Sequence, residues 1–213
     1  MAKTIAPLLS FEGSGQIAKT QVYSVWKGRP YVRRYVIPSN PNTAEQQLTR
    51  NTFSWLNNVW KFMSGAAIEG WQAYANSARI TDRNGFIKIN NGPLRQQTTL
   101  DDMILSPSAK SGIVAAAVTP TPAAGQITVA MTAPSLPAGW TIVEAVAMCI
   151  RDQNPQAGTA YSVTVGTDAT AAYSIVLAGL AAADYLVGGW FKYLKPDGTN
   201  AYGQSVQSVV TVP

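Results

Sequence analysis

The sequence predicts an α+β N-terminal domain followed by an all-β sandwich, and three observations carry that prediction. Apolar residues recur with helical period between residues 43 and 78 and with strand period on either side. A stretch rich in Pro, Ala, Ser and Gly, "SPSAKSGIVAAAVTPTPAAG" (106–125), separates two textures. The charge divides at the same place. Residues 1–105 hold twelve Lys and Arg against six Asp and Glu, a net of +6, and residues 106–213 hold four against five, a net of −1.

The first domain opens with a β-hairpin. Val22, Ser24 and Trp26 alternate with Tyr23 and Val25, and Tyr31, Arg33 and Tyr35 alternate with Val32, Arg34 and Val36. "KGRP" between them is turn material: Gly28 can take positive φ and Pro30 fixes its own. Pro38 and Pro41 then forbid regular pairing. Thr43 with Gln46 fits a capping box, with Asn42 as an alternative cap. Leu48, Thr52, Trp55, Leu56, Val59, Trp60 and Met63 form one apolar stripe of a helix that runs to about Met63, where Gly65 can end it. A second helix over Ala66 to Ala78 places Ile68, Trp71, Tyr74, Ala75 and Ala78 on a common face, giving a helical hairpin. "TDRNG" reads as a turn. Residues 86–105 read as ordered but of no assigned type.

The expected divisions are a domain over 1–105, a linker over 106–112 and a sandwich over 113–213. "GIVAAAV", "QITVAMTAP", "WTIVEAVAMCIRD", "AYSVTVG", "AAYSIVLAG", "DYLVGGWFKYLKPDG" and "AYGQSVQSVVTV" are β-rich runs broken by Gly, Pro, Asn and Asp. Seven such strands in this length is the spacing of an immunoglobulin-like sandwich. Leu180 a few residues ahead of Tyr185, at the head of an alternating strand, has the look of a tyrosine corner. "KPDG" (Lys195 to Gly198) is a hairpin turn before the last strand.

Composition narrows the function. The chain is 46% hydrophobic and 13% charged. Free monomers carry about a quarter charged residues, so this balance suits a protein packed against neighbours. With no histidine, Ser–His–Asp and Cys–His machinery and histidine-bearing metal sites are excluded. The single cysteine cannot form an internal disulfide. No signal peptide and no membrane-spanning apolar run is expected, which points to manufacture in the cytosol.

The motifs that approach chemistry fall short of it. Cys149 lies among apolar residues of an expected strand and reads as an inert core thiol. Asp101 and Asp102 read as caps of "DDMIL". Asp82, Asn84 and Gly85 lack the downstream Glu of a calcium loop. "GSGQIAKT" (Gly13 to Thr20) has Ala18 where a phosphate loop needs glycine, and a strand follows where that loop needs a helix. Glu144, Asp152, Asp168, Asp184 and Asp197 offer no pair set for glycoside hydrolysis. The Trp55, Trp60 and Trp71 set reads as core. No catalytic residue, metal or cofactor is expected.

The remaining feature is basic. Lys27, Arg29, Arg33 and Arg34 lie among Trp26, Tyr31 and Tyr35, ahead of Pro38 and Pro41. Cations interleaved with aromatics can neutralise phosphates and stack on bases. They can equally lie along rings and pair with carboxylates of a neighbouring protein, the reading favoured here. The candidate protein-interface residues are Lys27, Arg29, Tyr31, Arg33, Arg34, Tyr35, Pro38 and Pro41.

About residues 8–95 resemble virion and prophage structural proteins of tailed bacteriophages. The resemblance rests on "GSGQIAKTQVYSVWKGRPYVRRYVIPSNPNTAEQQLTR", followed by a Trp-rich helix and "WQAYA". The second half resembles, by strand pattern and Tyr185, the immunoglobulin-like or fibronectin-III-like domains appended to phage capsid, neck and tail proteins. The resemblance implies a non-enzymatic virion structural protein, a capsid decoration or head-spike component assembled in the host cytoplasm. A neck or tail accessory protein and a nucleic-acid-binding protein are the alternatives. The implied partners are other virion proteins and further copies of the chain, with weak host-surface or glycan contact through the second domain. No membrane partner is implied.

Overall fold

The computed structural model describes residues 14–37, 39–63, 65–107, 113–155 and 162–213. The chain divides into two compact units, residues 1–42 and 43–213.

The first unit is a three-stranded antiparallel sheet of β1 (Gly15–Ile17), β2 (Gln21–Trp26) and β3 (Arg29–Arg34) in that order. Trp26 pairs with Arg29, so the β2–β3 loop is only Lys27 and Gly28. Both take left-handed φ, 50° and 74°, the mirror-image turn whose twist matches paired strands. The turn is thus shorter than "KGRP", and Pro30 lies in β3 opposite Val25. That position is allowed because β3 is an edge and the non-bonded pair next to the turn directs its missing N–H outward. "AKT" of the would-be phosphate loop is the turn between β1 and β2, where the Thr20 N–H donates to Ile17 O at 2.9 Å.

The second unit begins with helices. Thr43, not Asn42, caps α1 (Ala44–Phe62): its hydroxyl accepts from the Gln46 N–H at 3.4 Å. α2 (Ala66–Ala78) follows Gly65 and ends on Arg79 in the left-handed conformation. "TDRNG" departs from expectation, because it opens a third helix, α3 (Asp82–Leu94), instead of closing a turn. The Thr81 hydroxyl caps it from the Asn84 N–H at 3.3 Å, and Asp82 sits in the first turn where the helix dipole favours an acid. Gly85, the last residue of the expected turn, is a packing device: a Cβ there would lie 3.1 Å from the Tyr74 ring of α2. Residues 95–107 continue without helix but bury Leu100, Met103 and Leu105 completely.

Eight strands follow: β4 (Ala117–Ala123), β5 (Gln126–Thr132), β6 (Thr141–Arg151), β7 (Val163–Asp168), β8 (Ser174–Ala178), β9 (Ala183–Leu194), β10 (Asn200–Tyr202) and β11 (Val206–Val212). One antiparallel sheet has the order β4-β5-β8. The other has the order β10-β9-β6-β7, with β11 also paired to β9. The first strand lies later than "GIVAAAV": Val114 makes only an isolated bridge to Gln204, and Gly112 lies outside the described residues. β4 tolerates Pro120 and Pro122 because it is an edge strand. The Tyr185 hydroxyl accepts from the Ala181 N–H and donates to the Ala181 carbonyl, both at 3.1 Å, and Leu180 packs in the same core.

The β6–β9 sheet is buried on both faces. Ala145, Ala147, Cys149, Tyr185, Val187 and Phe191 face the β4-β5-β8 sheet. Val146, Met148, Ile150, Leu186 and Trp190 face Trp55, Leu56, Val59, Trp71 and Phe86 of the helices and Leu105 of the segment that follows them. The result is three layers: helices, sheet, sheet. The helices and the sandwich therefore share one compact unit that runs across the expected 106–112 linker. Ser106 is buried and donates through Oγ to Gly203 O at 3.0 Å, while residues 108–112 lie outside the described residues.

Candidate docking surface

The register of β2 and β3 decides which candidate residues stand together. Cα partners share a face of the sheet, and neighbours along a strand alternate. Trp26, Arg29, Ser24, Tyr31, Val22 and Arg33 therefore line one face. Val25, Pro30, Tyr23, Val32, Gln21 and Arg34 line the other. Arg29, Tyr31 and Arg33 are brought together; Arg34 is directed away from them. Lys27 is in the turn, with Nζ 5.0 Å from the centroid of the Trp26 ring. Tyr35 lies just past β3 and its N–H donates to Thr20 O at 2.8 Å. Pro41 is exposed, and Pro38 lies outside the described residues.

Up to Arg34 the basic segment is a strand paired with β2. Trp26, named beside the basic residues but not among the candidate interface residues, belongs on this surface. The two-residue turn was the available signal, since it places Trp26 directly across from Arg29.

Charge and exposure mark this unit. Residues 14–42 contain Lys19, Lys27, Arg29, Arg33 and Arg34 and no acid. Residues 43–213 contain ten bases and ten acids, so the chain's net +5 resides entirely in residues 1–42. Among the described residues, Lys27, Arg29, Arg33 and Arg34 make no ion pair. Among the described residues, five of the twelve exposed large hydrophobic side chains also lie here: Ile17, Val25, Trp26, Val36 and Ile37. Cations without counter-charge beside exposed apolar side chains can bind an anionic surface that also offers apolar contact.

The carboxylates of the second unit are occupied structurally. Asp168 accepts from the Thr170 hydroxyl and N–H, which lowers its pKa, and from the Ser174 N–H. Asp197 does the same for Thr199. Asp152 accepts from the Leu100 N–H at 2.8 Å; burial raises its pKa, and the like charges of Asp101 and Asp184 add to the rise. Asp184 accepts from Thr211 Oγ1. Asp101 and Asp102 accept from Thr99 and Gln97. Burial pushes the Cys149 thiol up to about 11.

One polar cluster escaped the sequence reading. Lys192 Nζ lies 2.7 Å from Glu69 Oε2 and 3.4 Å from Glu144 Oε1, and Tyr202 Oη donates to Glu69 Oε2 at 3.0 Å. The Lys192 bond holds Glu69 below its ordinary value against the cost of burial. Burial opposes the Lys192 charge, but the two carboxylates outweigh it and raise its pKa. Burial and the bond to Glu69 push Tyr202 up to about 12. Lys192 bridges two carboxylates, Glu69 of α2 and Glu144 of β6, so the cluster works as a clasp between α2 and the β9–β6 sheet. Its members stand 133 residues apart at the extreme, which is why no spacing revealed them.

No family model matches the sequence, and no curated protein matches it.

Proposed function

We propose that the chain is a non-enzymatic structural component of a tailed-bacteriophage particle, a capsid decoration or head-spike protein. The N-terminal hairpin is its attachment element and the three-layer body is what it displays. The observation that carries this reading is the concentration of the whole net charge, together with exposed Trp26, Val25 and Ile17, on a small sheet compact in itself. A strand order of β4-β5-β8 against β7-β6-β9-β11, with the Tyr185–Ala181 bonds, supports an immunoglobulin-like, fibronectin-III-type sandwich for the displayed part. Among the described residues no helix is long and apolar enough to cross a membrane.

Arg33→Glu combined with Arg34→Glu tests the reading. The variant is expected to fold but to be missing from purified particles. Wild-type occupancy on the particles would discard the attachment role.

The alternation of Arg29, Tyr31 and Arg33 on one face, beside Trp26, also favours a second reading, single-stranded nucleic acid. A salt-dependent mobility shift of labelled DNA by the full chain would support that reading. Absence of a shift at low salt removes it.

A further inference from the structure

We infer that the cationic face of the hairpin docks on an acidic edge of the second unit of another copy of this chain. The inference rests on the attachment role proposed above and names the partner. The face carries Arg29 and Arg33 with Tyr31 between them and Trp26 across from Arg29, and Lys27 is in the turn at its tip. Four residues of strand set Arg29 and Arg33 about 13 Å apart, so they reach two separate anionic groups, not one.

The matching surface is on the same polypeptide. Asp152 directly follows β6, and its N–H donates to the Asp184 carbonyl at 2.8 Å. Its carboxylate accepts from the Leu100 N–H, which brings Asp101 and Asp102 alongside. Asp101, Asp102 and Asp184 are exposed, and among the described residues none of the four pairs with a lysine or arginine. Arg151 is next in the chain, leaving the edge a net charge of −3. Each surface thus holds uncompensated charge of the sign the other lacks. The second unit is neutral as a whole, so ten acids against ten bases leave this edge as a local excess, not part of a general field. Trp26, 65% exposed, supplies the apolar contact that a purely ionic interface would lack. Because the two surfaces differ, the contact is head-to-tail and builds rings or chains of copies.

Sedimentation velocity of the full chain, over a range of concentration at about 50 mM and about 500 mM salt, tests it. The wild type is expected to associate at low salt and to come apart at high salt. Arg29→Glu with Arg33→Glu should weaken association about a hundredfold. Asp101→Lys with Asp102→Lys should do the same, and Arg34→Glu, on the other face, should not. Mixing the two double variants should restore hetero-association, a rescue that misfolded variants could not give. A wild-type chain that stays monomeric throughout, or a mixture that fails to associate, overturns the inference. If the chain is monomeric yet the Arg33→Glu, Arg34→Glu variant is still lost from particles, the attachment role stands and its partner is a different virion protein.

Discussion

Lys192 Nζ sits 2.7 Å from Glu69 Oε2, and this contact fastens α2 to β9. The Glu69 pKa is lowered from its ordinary 4.5, so its contribution is complete above 4.5 and is lost as pH falls through the lower folded value. The Lys192 pKa is raised from its ordinary 10.5, so its contribution is complete below 10.5 and is lost as pH rises through the higher folded value. Glu69 is partly exposed, so Glu69→Gln is expected to cost about 1 kcal/mol at neutral pH. Urea titrations of wild type and variant should converge in acid. A gap that persists below the folded Glu69 pKa would contradict the clasp.

Gly188 is the point where the helical layer presses on the sheet. A Cβ there would lie 2.6 Å from Leu105 Cδ1. Gly188→Ala is expected to destabilise by about 1–3 kcal/mol through overpacking. Leu105→Ala alone should cost about 2–5 kcal/mol through the cavity it leaves. The double variant should cost less than the sum of the two, because each change relieves the other. Strict additivity in chemical denaturation would show that the two do not meet.

Tyr185→Phe removes both bonds to Ala181 and leaves its N–H without that acceptor. A loss of about 1–3 kcal/mol is expected. The measurement is the midpoint of guanidinium unfolding, with an unchanged slope as the sign that the fold is kept.

Cys149 is fully buried and its thiol is pushed up to about 11, so little thiolate exists at neutral pH. Labelling by a thiol reagent is expected to follow global unfolding in rate. Rapid stoichiometric labelling of the native protein would show that the sandwich core opens locally.

Gly28 holds φ at 74° in the β2–β3 turn. Gly28→Ala places a Cβ in the left-handed region at a cost of about 1 kcal/mol. Amide exchange at Val22 and Ser24, which bond across the ladder, should quicken about fivefold. No change would mean that the turn does not limit hairpin opening.

Local chemistry was legible from the residues alone. The period of Leu48 to Met63, the Thr43 cap, the Lys27-Gly28 turn and the Leu180–Tyr185 spacing each involve positions a few residues apart, where backbone propensity and periodicity act directly. α3 was hidden because Gly85, Gly92 and Pro93 carry the marks of turns. Only the Tyr74 ring explains Gly85, and that ring comes from another helix.

The sequence by itself determined the two periodicities, the absence of histidine and the placement of the positive excess in the N-terminal half. Tertiary structure alone decided that β6 is covered on both faces, which accounts for "AVAMCI" (145–150) being apolar throughout and not alternating. It also decided that Lys192 meets Glu69. The physical reason is range. Propensity and charge are properties of neighbouring residues, whereas a face is defined by what packs on it, and here that packing joins residues more than one hundred positions apart.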